Sequence, residues 1–208
     1  MLRWHEYPEP WQAAFGEAWA AYQAGAWPIG AVVVDAAGRV RYRGQNGVLL
    51  HKEFPSQTRL AHAEYRVLSQ IPTKDVHYAH GYALYSTLEP CPLCFGALVM
   101  SNVRNLHYAA LDPHAGSTEL VRATPFIRGK AIQIQGPNPQ FGPVQAALLA
   151  DYILGRFRSP SPRVDAIFAC YPRIAGLVDD WRQTQWLEGV AQSGQGFATV
   201  ANAVAAWC

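Results

Sequence analysis

The chain is poor in charge, in sulfur and in long apolar runs, and each shortage closes off a class of protein. Only 15% of its 208 residues are charged, 17 Lys and Arg nearly balance 15 Asp and Glu, and the formal net charge is +2. Neither sign gathers into a block, so a dedicated nucleic-acid surface is not signalled and only a local basic groove stays open. Four cysteines are too few for a disulfide scaffold in a chain of this length. No apolar run approaches the roughly 20 residues of a membrane span. The opening MLRWHEYPEPWQAAF lacks a basic segment followed by an apolar core and a small-residue cleavage site. A secretory leader is therefore not expected, and the chain reads as cytoplasmic, where stable disulfides are rare. No internal repeat or low-complexity tract is present. What is present is a large apolar fraction, 50% of residues, which excludes disorder and suits one domain with a full core plus an extension.

The apolar pattern alternates between helical and extended periods. Residues 9–24 place Trp11, Phe15, Ala18, Trp19 and Tyr22 on one helical face. Residues 29–34 are a β-branched run, Asp35 to Gly38 supply a turn, and 39–43 alternate, which predicts a hairpin. Residues 45–60 read as a loop. A helix over 60–71, a strand closed by Pro90, and a helix opened by CPLC at 91–94 follow. Then come a strand at 105–111, a short helix at 115–122, a strand at 131–136 and an amphipathic helix at 143–157. This order predicts an α/β fold, a three-layer α/β/α sandwich around a mixed five-stranded sheet with an N-terminal antiparallel hairpin. The Ser-Pro-Ser-Pro stretch at 159–162 marks a boundary. Residues 1–157 are thus expected to form one domain. Residues 158–208 are expected to be an extension of one or two helices, packed on the same domain or on a dimer partner.

Two helix starts carry the chemistry. One begins near His62 and the other holds Cys91 and Cys94 in its first turn. In an α/β sheet with parallel strands, such starts gather at the carboxyl ends of the strands. Their partial positive charge favours the thiolates that zinc needs. One His and two Cys make three ligands, whereas structural zinc takes four and catalytic zinc takes three and keeps a water. Three ligands and a water is the better count, because neither Cys170 nor Cys208 has a partner at ligand spacing. Glu64, two residues after His62, borders the same place and suits a proton carrier. Together HAE at 62–64 and PCPLC at 90–94 match the H-x-E and P-C-x-x-C signature of zinc deaminases.

At these residues the chain resembles the cytidine and deoxycytidylate deaminase superfamily, and in particular its branch of tRNA adenosine, guanine and cytosine deaminases. PIGAVVVDAAGRV at 28–40, the Asn46 loop, HAE, and TLEPCPLCFGALVMS at 87–101 carry the resemblance, which covers roughly residues 9–157. It implies one Zn2+ held by His62, Cys91 and Cys94, with Glu64 as the catalytic proton shuttle. It also implies that Asn46 hydrogen-bonds the substrate, that Ile29 floors the pocket and that the backbone near Ala63 reads the base edge. The Glu89–Pro90 backbone would lie beside the leaving amino group. The implied substrate is a free base, a nucleoside or a related amino-heterocycle, and the implied assembly is a homodimer. A tRNA substrate is the alternative. The tRNA-deaminating members share a basic C-terminal helix, and here the matching region ends DYILGRFRS with two arginines. A non-catalytic member that keeps zinc for stability is a further alternative.

Plainer roles stand beside these. Cys91 and Cys94 also fit a redox pair or a structural zinc site. Glu64 also fits a first-turn acid that complements the helix dipole. Asn46 before Gly47 also fits a turn. Asp112 and His114 read as a solvated loop near the pocket. Cys170 reads as a buried free thiol and Cys208 as a terminal one. Trp4, Trp11, Trp19 and Trp27 read as core packing rather than as a wall for a base.

Overall fold

The computed structural model describes residues 3–48, 59–157 and 161–207. Five strands, β1 (Gly30–Val34), β2 (Val40–Gln45), β3 (Ala83–Leu88), β4 (Asn105–Ala110) and β5 (Gln133–Gln135), form one sheet in the order β2-β1-β3-β4-β5. β1 runs antiparallel to both β2 and β3, with Ala31 opposite Gly44 on one side and Ser86 on the other. β3, β4 and β5 are mutually parallel, with Leu84 opposite Leu106 and Leu106 opposite Ile134. The sheet is mixed, as the alternation of elements predicts.

Helices α1 (Glu9–Gln23), α2 (Ala63–Leu68), α3 (Pro92–Met100), α4 (Pro125–Arg128) and α5 (Gly142–Phe157) accompany the sheet. β1 is buried along its whole length, and its alternation divides the core. Ala31 and Val33 pack with Val67, Phe95 and Leu98 of α2 and α3. Val32 and Val34 turn the other way, toward Ala13 and Ala14 of α1. α1 approaches so closely that any side chain at Gly30 would run into the Ala14 carbonyl. α5 joins α1 on that face, and Leu148 and Ile153 are fully buried in a core shared with Phe15. The result is the expected α/β/α arrangement.

The C-terminal residues depart from the one or two helices expected. They form four: α6 (Pro162–Cys170), α7 (Ala175–Thr184), α8 (Trp186–Gln192) and α9 (Phe197–Trp207). The breaks have local causes. Pro172 supplies no N–H to extend α6, Gln185 takes a left-handed conformation at φ 55° between α7 and α8, and Gly194 does so at φ 73° before α9.

These helices pack on α1 and α5 of the same chain. Phe197 stacks on Phe15 at 5.0 Å, and Trp4 meets Phe197 edge-on at 5.1 Å. Trp19 Nε1 donates to the Gln195 carbonyl at 3.0 Å. The Tyr22 hydroxyl donates to buried Asp151 at 2.9 Å, and Arg182 of α7 lies 3.7 Å from the same carboxylate. Trp4, Trp11 and Trp19 are therefore core residues, as expected. Trp27 is the exception and reaches the functional cavity. No helix among the described residues is long and apolar enough to cross a membrane.

Candidate metal centre and its cavity

The centre is assembled where two helices begin. His62 is the N-cap of α2, extended at φ −70° and ψ 149°, so its side chain leaves the helix end and Glu64 falls in the first turn. Cys91 is the N-cap of α3, Pro92 occupies the first helical position, and Cys94 follows one turn on. β3 ends at Leu88, and Glu89 N–H donates to the Ala110 carbonyl at 2.8 Å, which extends the β3–β4 pairing up to the cysteines.

The three donors converge. Cys91 Sγ and Cys94 Sγ lie 3.6 Å apart, and His62 Nδ1 is 3.4 Å from the first and 3.5 Å from the second. Tetrahedral zinc, with Zn–S near 2.3 Å and Zn–N near 2.0–2.1 Å, requires sulfurs about 3.8 Å apart and sulfur to nitrogen about 3.5 Å. The spacing fits. Two thiolates and an imidazole also suit zinc rather than magnesium or calcium, which take oxygen ligands. His62, Cys91 and Cys94 are thus positioned to bind one metal ion.

The electrostatics of the set agree. The hydrogen bond between the two sulfurs, helped by His62, holds Cys91 down to about 4 against the opposing effect of burial. Cys94 is pushed up by the bond to Cys91 and by burial. The bond to Cys91 raises His62 against burial. A hydrogen bond to the Arg59 carbonyl also holds the imidazole. The sulfurs share a proton that a metal ion would displace.

Glu64 is 4% exposed. Its Oε1 accepts from the Ser86 hydroxyl at 3.1 Å, and its Oε2 is 3.3 Å from Cys94 Sγ. Burial is the main cause that raises its pKa. Ser86, fully buried on β3, did not stand out in the sequence. The available signal was a hydroxyl at an inward position of an apolar strand, where it needs a partner.

A cavity of about 270 Å³ opens beside these groups, just below the roughly 300–1,000 Å³ typical of small-molecule sites. His62, Glu64 and Cys91 lie on its wall, as do Ile29, Asn46, Glu89 and Asp112. Ala63 is fully buried and is not on that wall. The Asn46 carboxamide oxygen accepts from Val48 N–H at 3.0 Å, the turn role foreseen, which leaves Nδ2 as its available donor. The loop expected over 45–60 lies outside the described residues from 49 to 58. The Glu89 side chain is engaged by the loop that follows β4. It accepts from Thr118 Oγ1 at 2.6 Å and from Asp112 N–H at 3.4 Å, and so holds the 112–118 loop at the cavity edge. Gly116 packs against that carboxylate so closely that a side chain there would collide with it. Asp112 Oδ1 accepts from the backbone of His114 and Ala115, and His114 is exposed.

Cys170 is a free thiol but not a buried one. It is exposed at the last residue of α6, on the rim of a second, apolar cavity with Trp4 and Tyr7. Cys208 lies outside the described residues. Trp27, read from the sequence as core packing, also lines the cavity, and so do Leu149, Ile153, Arg163 and Ile167, which gave no sequence signal and of which the last two belong to α6.

Comparison with known proteins places this geometry. A family model described as "Cytidine and deoxycytidylate deaminase zinc-binding region" matches residues 5–110. The chain is 39% identical over 104 residues to the tRNA-specific adenosine deaminase of Bacillus subtilis, covering 50% of this chain and 61% of that protein. It is 36% identical over 114 residues to the tRNA(Ile)-lysidine synthase of Deinococcus radiodurans, covering 52% of this chain but 19% of that protein. Among solved structures, a protein in complex with 2,6-diaminopurine superposes with a TM-score of 0.53 at 22% identity, over 72% of this chain and 82% of the other, and shares the fold. The chain therefore spans less than two thirds of the length of these two curated relatives, 61% of the first and 19% of the second.

Proposed function

The chain belongs to the cytidine and deoxycytidylate deaminase family, and on that premise we propose that it hydrolytically deaminates a small amino-heterocycle, a free nucleobase or nucleoside, in the cytoplasm. The observation that carries the reading is the position of Glu64. One carboxylate oxygen is fixed by Ser86 and the other faces the metal ligands at the wall of a small cavity.

When bound by His62, Cys91 and Cys94, zinc supplies Lewis acidity that makes a water nucleophilic near neutral pH. Glu64 Oε2 accepts a proton from the attacking water and delivers it to a ring nitrogen. It passes a second proton to the amino group, which leaves as ammonia. One water is consumed, the C–N bond breaks and a C–O bond forms at the same carbon. The Ser86 hydroxyl keeps Oε1 occupied, so the proton traffic stays on Oε2. Asn46 Nδ2 donates to an acceptor on the substrate, Ile29 floors the ring, the backbone on either side of Ala63, at the wall residues His62 and Glu64, reads the base edge, and the Glu89–Pro90 backbone lies beside the departing amino group. Residues 1–157 form the deaminase domain and 158–208 an extension. A homodimer is the working unit, a reading supported by the exposed Met100 and Tyr65 on α3 and α2.

The similarity to a tRNA-specific adenosine deaminase supports a second reading, deamination of a tRNA adenosine. Against it, α5 and α6 wall the cavity, and the exposed arginines of β2 and the residue before it are engaged, Arg39 and Arg41 with Asp35 and Arg43 with Glu9. An ammonia-release screen over bases, nucleosides, pterins and tRNA separates the two. The small-molecule reading expects saturable turnover of a free base or nucleoside. Turnover of tRNA alone, with binding that weakens steeply as salt rises, contradicts it.

A further inference from the structure

The cavity is closed on one side by a part of the chain that the family model does not reach. Arg163 and Ile167 of α6, with Leu149 and Ile153 of α5, complete the wall, and all four lie beyond the matched residues 5–110. α6 is pinned along its length. Ile167 is 3% exposed and packs into the core. Beyond its C-terminal end, the Tyr171 hydroxyl accepts from Leu111 N–H at 2.9 Å, next to the cavity residue Asp112. At its N-terminal end, the Arg163 guanidinium lies over the Trp27 indole, 5.1 Å from the ring centroid. The helix is a fixed roof.

The wall carries Arg59 and Arg163 beside the carboxylates of Glu64, Glu89 and Asp112, but among the described residues the two kinds of charge are not paired with one another. Glu89 is occupied by Thr118 and by the backbone of Asp112, and Asp112 Oδ1 is occupied by two backbone N–H groups. Arg59 and Arg163 also line the cavity, and among the described residues neither forms an ion pair. A guanidinium that rests over an indole face spends none of its five N–H donors on that contact, and a fork of donors suits bidentate capture of an oxyanion. The first turn of α6, where Arg163 stands, adds partial positive charge.

We infer that Arg163 is a specificity-determining residue, which selects amino-heterocycles that carry an anionic oxygen group away from the reacting amino group. The group is a phosphate, as in a mononucleotide, or a carboxylate on the ring. Trp27 acts through Arg163 as its positioning residue. This inference rests on the deaminase reading given above.

The test compares matched pairs, cytidine with cytidine 5′-phosphate, guanosine with guanosine 5′-phosphate, and an aminopyrimidine with its ring carboxylate. Ammonia release gives kcat and KM, and calorimetry on the Glu64→Gln protein gives binding without turnover. The wild type should favour one class of anionic member over its neutral parent by about tenfold or more, the scale of one charged hydrogen bond, mainly through KM. Arg163→Ala should erase that ratio, and Arg163→Lys should restore part of it. Arg156→Ala, which removes a guanidinium from the end of α5, should keep the ratio. The phosphate and carboxylate pairs identify the source of the anion. Turnover of neutral compounds with no anion preference, or an Arg163→Ala ratio equal to that of wild type, overturns the inference alone. If wild type releases ammonia from no compound, the deaminase reading itself fails. Melting temperature and zinc content of each variant separate loss of selection from loss of fold.

Discussion

Replacing Glu64 with Gln should lower ammonia release from the best substrate by between about 100- and 10,000-fold, the range for loss of a general acid–base. The zinc content should stay at that of wild type. The substitution preserves size and keeps a carbonyl oxygen for the Ser86 hydroxyl, which now donates to Glu64 Oε1 at 3.1 Å. It removes the ability to carry a proton at Oε2, the oxygen that faces the metal ligands. Binding should survive, so KM or the calorimetric affinity should move far less than kcat. An equal fall in both would place Glu64 in substrate binding rather than in proton transfer. Unchanged ammonia release would support the non-catalytic reading of the family fold.

Replacing Cys94 with Ala should have the largest effect on the molecule as a whole. Cys94 is fully buried, it lies 3.6 Å from Cys91 and 3.5 Å from His62, and it stands in the first turn of α3. Two ligands hold zinc far more weakly than three, so zinc per chain should fall from about one to near background. Because metal bound only to the folded state stabilises it by mass action, about 2.7 kcal/mol at a hundredfold excess over the dissociation constant, the melting temperature should fall as well. A chelator should lower the melting temperature of wild type toward that of the variant and leave the variant unmoved. Elemental analysis and thermal melts with and without chelator make the comparison. Retention of full zinc by Cys94→Ala would mean that the ion sits elsewhere.

The parts of this site that are legible in the sequence are those set by local geometry. His62 and Glu64 are two residues apart, Cys91 and Cys94 three apart, and each pair sits at a helix start, the second announced by Pro92. The hairpin and the buried β1 follow from a β-branched run and a turn, because a period of two is a property of neighbouring residues. What is not legible comes from distant segments that meet only in the folded chain. Ser86 supports Glu64 from another element, and a serine in a strand gives no hint of which carboxylate it holds. Arg163 and Trp27 are separated by more than a hundred residues, and neither belongs to a motif. Glu89 stands within the recognisable TLEPC stretch, yet its side chain serves the 112–118 loop. The tail shows the same division. Its apolar content announces packing, but the four short helices are set by Pro172, by Gln185 and Gly194 in left-handed conformations, and by the surface that α1 and α5 offer.

The central claim is that water replaces an amino group on a small heterocycle within the cavity beside Glu64. The most direct measurement incubates the zinc-loaded protein with its best substrate from the screen in water labelled with heavy oxygen, and follows the product by mass spectrometry while ammonia is counted. The account predicts one ammonia per product molecule, with the heavy oxygen on the carbon that bore the amino group. Product without the label, or no ammonia from any base, nucleoside or nucleotide offered to zinc-loaded protein, would contradict it.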